Sequence, residues 1–459
     1  RNSMFRILDD TGGPAVQAAF FESLKESGCL NLTAKEEREL ERALEVSRFG
    51  PAGYMTNQAM HRLLGDVDQQ AAADDPFRVD RSLDGSVTTL RESMELLAAE
   101  QKRVHFVITG CCYRAVFERI AAAFAGADCE MSIEHYMYTG GDEIISCVSA
   151  IQPVLYLPAY EGYCIDENMF NAQREQVYRC NTIAAHCENA QGQKRVYMVV
   201  MIDPRRMISI GLSDERNVAV LERMMHDDRP KMHPLKSSFE LNDSPEDYLA
   251  YTKNFMRLEH GRGIYDIKLD VPINFIAPEV LVGPARDGFA EQGFAQGETL
   301  DAMIGQFYKV HQKRFDNYFE KRRPTHTIFS RQAMEQFAKT GRESDHFFAI
   351  RPFTPAERVA ILTHLKEQNE TNPYFCIYFF KPGYHQPRTE ICLYEGMGTM
   401  ITMADTDYDF SGAHAEALIT QQEFSRKYKE FFMRDLLESK VLSPAETQRT
   451  FEELIEIAR

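Results

Sequence analysis

A chain of 459 residues, 44% hydrophobic and 26% charged, has the composition of a globular protein with more than one core. Its net charge of −17 excludes a phosphate-gripping nucleic-acid surface on this chain, which would need clustered Lys and Arg. Ten cysteines spread over this length exclude a disulfide scaffold. No apolar run reaches the roughly 18 residues of a membrane span and no signal peptide is visible, so a cytoplasmic location without a membrane partner is expected.

The opening Arg1-Asn2-Ser3-Met4 reads as a cut point or tag scar, and a preceding segment is expected. Residues 14–65 read as helices, with Thr33 and Glu36 as a capping box and Gly50-Pro51 as a stop. Residues 66–86 are Asp-rich, without apolar periodicity, and read as a linker. From about residue 88, strands alternate with helices. Val104–Gly110, Glu130–Tyr138 and Val154–Tyr160 read as strands, and Tyr113–Phe124 as a helix. Arg195–Asp203 and Met207–Leu212 read as a strand pair, followed by a helix at Glu215–Met225. Tyr265–Val282 has strand character.

A long helix is expected from Thr299 to Arg323, its apolar stripe made by Leu300, Ile304, Phe307, Phe315, Tyr318 and Phe319. That stripe suits a lobe-bridging helix or a homodimer contact. Beyond it, Phe347–Ile350 and Tyr374–Phe380 read as strands, and Thr354-Pro355-Ala356-Glu357 and Ser443-Pro444-Ala445-Glu446 as capping boxes opening helices. A Phe-rich helix is expected over Glu423–Leu437. Met207–Asp214 resembles Met400–Asp407, which suggests a duplication. The implied division is a helical segment 1–65, a linker 66–87, a first α/β half 88–298, a bridging helix 299–330 and a second α/β half 331–459.

Chemical motifs are scarce. Thr139-Gly140-Gly141-Asp142 has neither a Walker lysine nor dinucleotide spacing. Cys111-Cys112 and His186-Cys187 lack metal-ligand spacing, and no G-x-S-x-G occurs. No catalytic residue, metal site or cofactor is therefore expected. Glu134 and His135 stand out as polar residues inside an apolar strand, where alternation sends them to opposite faces. Arg351 lies just before a helix start, where α/β folds place binding residues, and Glu395 is a candidate partner for it. These four form the expected ligand-binding set.

The duplicated plan resembles the phospholipase D-like fold, in which two similar halves face each other. Catalytic members carry H-x-K-x-x-x-x-D in each half; Thr389–Glu395 and Arg195–Val199, the strands matched to it, do not. The resemblance thus implies the arrangement without the phosphodiesterase chemistry. Ser344-Asp345-His346-Phe347, Phe353-Thr354-Pro355 and the helix at Glu423–Leu437 also resemble the sensory region of bacterial helix-turn-helix regulators. That likeness implies a non-catalytic sensor for an unknown small molecule, touching DNA only through a module missing from this chain. A hydrolase or transferase with a site formed only in three dimensions, and a partner-binding protein, are the alternatives.

Overall fold

In the computed structural model the described residues are 90–110, 113–138, 143–155, 157, 159–165, 181–203, 206–212, 233–238, 245–269, 271–291, 293, 296–319, 322–342, 350–382, 384, 389–403 and 416–459, with 43, 46, 54 and 57–60. Residues 1–61 form one compact unit and 62–459 another. The helices expected within 14–65, nearly whole, lie outside the described residues, as do the linker, the helix at Glu215–Met225, the strand expected at Phe347–Ile350 but for its last residue, Cys111-Cys112 and the Thr139–Asp142 turn.

The second unit holds two seven-stranded sheets. The first is built from β1 (Arg103–Thr109), β2 (Glu130–Tyr138), β3 (Tyr160–Ile165), β4 (Asn181–Glu188), β5 (Lys194–Asp203) and β6 (Arg206–Leu212). A two-residue strand, β7 (His233–Pro234), completes it. The second contains β8 (Lys236–Ser238), β9 (Ile264–Lys268), β10 (Thr325–Phe329), β11 (Phe375–Phe379), β12 (Thr389–Tyr394), β13 (Gly398–Met403) and β14 (Glu416–Ile419). The orders are β6-β5-β4-β1-β2-β3-β7 and β11-β10-β9-β12-β13-β14-β8.

Those orders disclose the repeat. In each sheet three strands run parallel, β1-β2-β3 or β9-β10-β11, and an antiparallel meander, β4-β5-β6 or β12-β13-β14, leaves from the first of them. Parallel pairing requires crossovers, and helices supply them. In the first repeat α1 (Leu90–Glu100) precedes β1, and the crossovers are α2 (Arg114–Phe124) and α3 (Glu143–Leu155). In the second, α4 (Pro245–Glu259) precedes β9, and the crossovers are α5 (Pro278–Glu291) with α6 (Gly297–Phe319), then α7 (Arg331–Thr340) with α8 (Pro355–Thr371). The chain closes with α9 (Gln422–Phe431), a π-helical run Phe432–Lys440 and α10 (Pro444–Ala458). Two similar α/β halves are thus present, the arrangement implied by the phospholipase D-like resemblance.

The duplication is real, but the sequence match that suggested it is not its trace. Met207 lies in β6, whereas Met400 lies in β13, the counterpart of β5. Both are apolar meander strands, and shared alternation suffices to make them look alike. The second repeat opens before β9, so the boundary expected at 298 falls inside it, and α6 is part of its first crossover rather than a bridge between halves. Val154 and Leu155 belong to α3, and the strand starts at Tyr160. Helix α3 is buried on nearly every side, from Ile144 and Ile145 to Val154 and Leu155, so its sequence carries no helical stripe to read. Among the described residues of the strand-like stretch, only its start falls in a strand, Ile264–Lys268; Pro272 and Pro278 then open a 3₁₀ turn and α5.

Elsewhere local signals hold. Thr354 with Glu357 and Ser443 with Glu446 form complete capping boxes, each with proline in the first turn. Helix α6 buries Leu300, Ile304, Phe307, Tyr318 and Phe319 against the second sheet's core.

Candidate functional site

The four expected ligand residues do not converge. Glu134 and His135 occupy opposite faces of β2, as alternation requires. The Glu134 carboxylate accepts a hydrogen bond from Tyr136 Oη at 2.7 Å. His135 is 0% exposed, with Nδ1 3.0 Å from Tyr160 Oη and its ring 5.2 Å from that of Phe117. It is a core histidine beneath α2, closed off from solvent.

Arg351 is an anchor. Its Nε donates to Asp287 at 2.7 Å, and Nη1 and Nη2 each donate to Glu357 at 2.9 Å, tying the segment before α8 to α5. Glu395 is not its partner. Strand β12 runs antiparallel to β9, so the turn after it carries Glu395 to the start of β9, where it pairs with Lys429 and its amide donates to Gly263 O at 3.0 Å. That is the amino end of the parallel strands, the wrong edge for a strand-end ligand site.

The hydrogen bonds from Arg351, with those from Thr354, hold the Glu357 carboxyl down at about 2 against an ordinary 4.5, despite partial burial. The folded value lies below the unfolded one, so this stabilisation is present above about pH 4.5 and is lost as pH falls towards 2. Glu357→Gln is expected to cost about 1–2 kcal/mol at neutral pH, through the capping box and the guanidinium contact together. Urea midpoints of mutant and wild type should converge in acid; a gap that stays constant down to pH 2 would contradict the assignment.

The polar groups that do gather lie at the carboxyl edge of the second sheet. Strand β9 ends at Lys268 and antiparallel β12 begins at Thr389, so the two termini are neighbours. Lys268 Nζ lies 2.8 Å from Glu390 Oε2, and Glu390 Oε1 accepts from Leu269 N at 2.9 Å. The two side chains keep 18% and 17% of their surface exposed, so the pair is largely buried but not sealed from solvent. Burial pulls the ammonium of Lys268 down, but the Glu390 carboxylate, with Cys392 and Asp266 behind it, outweighs this and holds it above its ordinary range. Ser330 N donates to Lys268 O at 3.1 Å, and Ser330 Oγ caps α7 by accepting from Ala333 N.

The same edge touches the first repeat. Gln152 on α3 donates Nε2 to Thr389 Oγ1 at 3.2 Å, and its Oε1 accepts from Arg114 Nη1 at 2.8 Å. Arg114 also reaches Ser149 O at 3.2 Å and Glu118 at 2.7 Å. Gln152 and Thr389 are buried, so this chain of polar groups is a seam between the repeats. In the first repeat the corresponding strand opens at Asn181, whose Nδ2 donates to Tyr113 Oη at 3.2 Å. Strand β4 is the true counterpart of β12; its His186-Cys187-Glu188 has no lysine two places after the histidine, so the H-x-K pattern is absent there too.

A nucleophile beside a base occurs elsewhere. His105 Nδ1 lies 2.8 Å from Ser132 Oγ, with the His186 ring 6.0 Å from that of His105. These residues are register partners on the first sheet, at the amino end of β1. Their backbone amides are committed to the sheet ladder and cannot serve an oxyanion. Cys187 is buried, which pushes its thiol up to about 12, and Cys392 is held above its ordinary range by burial; neither is a thiolate nucleophile. Among the described residues no three His, Cys, Asp or Glu side chains gather as a metal site would need.

Sequence reasoning did not select Lys268, Glu390, Gln152 or Arg114. Tyr265-Asp266-Ile267-Lys268 and Thr389-Glu390-Ile391-Cys392 each place a charge at an apolar strand's end, and that was the readable signal. Gln152 gives none until the two repeats are assembled.

No family model and no curated protein matches the chain. Among solved structures, polyphosphate kinase from Porphyromonas gingivalis aligns with a TM-score of 0.23 and 10% identity, over 80% of this chain and 52% of its own. The chain therefore spans about half the length of that protein. Phosphatidylserine synthase from Haemophilus influenzae Rd KW20 aligns with a TM-score of 0.26 and 8% identity, over 80% and 91%. The class defined by the chain's own topology is a protein of two α/β repeats. No helix among the described residues is long and apolar enough to cross a membrane.

Proposed function

We propose that the protein binds a small polar molecule at the carboxyl edge of its second sheet, at the partly exposed Lys268–Glu390 pair. The observation that carries the reading is the partial exposure of this ion pair, at the strand ends where α/β folds accept ligands. An ammonium and a carboxylate 2.8 Å apart offer a dipole that can exchange partners with a ligand. The chemistry selected is an anionic group, for Lys268, next to a hydrogen-bond donor, for Glu390. The adjacent Gln152–Thr389 seam supports a sensing role, because displacement at Glu390 would be felt one residue away where the repeats touch. Action on DNA through another module has no support in the fold.

The test uses thermal shift with inorganic phosphate, citrate and free amino acids as probes. Lys268→Met with Glu390→Gln replaces the pair by groups of similar volume, a change often neutral for stability. At least one probe should raise the midpoint of the wild type and leave the double variant unmoved. A probe that stabilises both equally places the site elsewhere. Turnover of a phosphoester or acyl ester, lost in Ser132→Ala but kept in the double variant, would favour the hydrolase or transferase alternative instead.

A further inference from the structure

Between the two repeats the chain has only to lead from β6 to α4. It takes a detour that a plain connection does not need. His233 and Pro234 pair antiparallel with Cys164 and Tyr163 on the outer edge of β3. One residue later, Lys236, Ser237 and Ser238 pair antiparallel with Ile419, Leu418 and Ala417 on the outer edge of β14. A single residue, Leu235, separates the two strands, so β7, the last strand of the first sheet, and β8, the last strand of the second, stand within two Cα steps of each other, roughly 7 Å.

Leu235 is 0% exposed, and its backbone serves both sides. Its amide donates to Gly162 O at 2.8 Å, and its carbonyl accepts from Thr420 N at 3.3 Å. The place it fills is cut to fit. A Cβ on Gly162 would stand 3.2 Å from both Cβ and Cδ2 of Leu235 and 3.0 Å from Tyr160 Oη, so a side chain there would press on the leucine. Tyr160 Oη is in turn engaged by the buried His135. The positions related by the repeat, β6 and β11, receive no comparable strand from this segment, so the strap is an asymmetric addition to the duplicated plan.

We propose that residues 233–238 are a clasp: by giving one short strand to each sheet around the buried Leu235, they lock the edges of β3 and β14 together. Two short ladders and one buried side chain make a latch weaker than either seven-stranded sheet, so it opens before the cores do.

Hydrogen exchange of the full chain, read by mass spectrometry, tests this with Leu235→Asp and the milder Leu235→Ala. Expected is exchange at least tenfold faster in peptides covering both Tyr160–Ile165 and Glu416–Ile419. Protection of β1 and β9, and of the unclasped edge strand β11, should be unchanged. Faster exchange at one edge alone, or at neither, overturns the clasp. If Leu235→Asp also exposes β1 and β9, the chain has unfolded and Leu235→Ala decides; exposure of β1 and β9 by Leu235→Ala as well would make Leu235 an ordinary core residue.

Discussion

Arg314→Met is expected to destabilise the second repeat by about 3–5 kcal/mol, although methionine fills a similar volume and is as good a helix former. Arg314 lies on the buried stripe of α6 and grips Glu259, the last residue of α4. Nε lies 3.0 and 3.1 Å from the two carboxylate oxygens and Nη2 lies 2.6 Å from Oε1. Glu259 is fully buried, and the guanidinium carbon lies 5.2 Å from the centre of the Phe255 ring. One turn earlier His311 is buried and held well below its ordinary range, by burial first and then by Arg314, so beside the intact pair it is neutral. The mutation therefore strands a carboxylate in a core, which is what makes breaking such a pair expensive. Arg314→Met combined with Glu259→Leu should regain most of the loss, because no charge is left unpaired. Denaturant midpoints at unchanged slope measure both. A single mutant within about 1 kcal/mol of wild type, or a double no better than the single, would refute the assignment.

This pair also shows where the sequence was legible. The stripe of α6 could be read because Leu300, Ile304, Phe307, Phe315, Tyr318 and Phe319 fall on one face of the helix. Arg314 falls on that same stripe, one turn before Tyr318, and a charge on a buried face signals a partner without saying which. Glu259 could not be found this way, since it lies 55 residues earlier at the end of another helix. Capping boxes at Thr354 and Ser443 were legible for the opposite reason: both partners lie within four residues.

The repeat was legible as a strand–helix rhythm but not in its register. Which strands correspond is decided by hydrogen bonding across the sheet, where β12 answers β4, and no local resemblance encodes that. The ligand set failed for the same cause. Arg351 and Glu395 were joined as complementary charges near strand ends, yet a strand's direction decides which edge its end occupies. Antiparallel β12 takes Glu395 to one edge and leaves Glu390 at the other. Gln152 was invisible because α3, apolar nearly all round, gives no face to assign, and its partner Thr389 belongs to the other repeat.

Gly341→Ala is expected to lower stability by more than about 3 kcal/mol, beyond what any surface glycine would show. Gly341 closes α7 in the left-handed region, φ +67°, with its amide bonded to Phe337 O. Left-handed backbone alone disfavours alanine by roughly 1–2 kcal/mol, and at an open helix end that would be the whole effect. Here the chain returns against the glycine. Phe353 N donates to Gly341 O at 2.8 Å, and a Cβ on Gly341 would lie 2.2 Å from Phe353 O and 2.8 Å from Phe353 N. Those are backbone atoms fixed on both sides: Phe353 is buried and its ring meets Phe337 at 6.0 Å, while Thr354 caps α8 and Arg351 is held by Asp287 and Glu357. The segment cannot yield without giving up the cap, the ion pairs and the aromatic contact together. Gly126→Ala provides the comparison, with φ +71° and nothing within 4 Å of the added carbon, so it should show only the backbone preference. Thermal midpoints of the two variants separate the effects: a far larger loss at Gly341 locates the penalty in the Phe353 backbone, and equal losses would show that the segment before α8 moves aside.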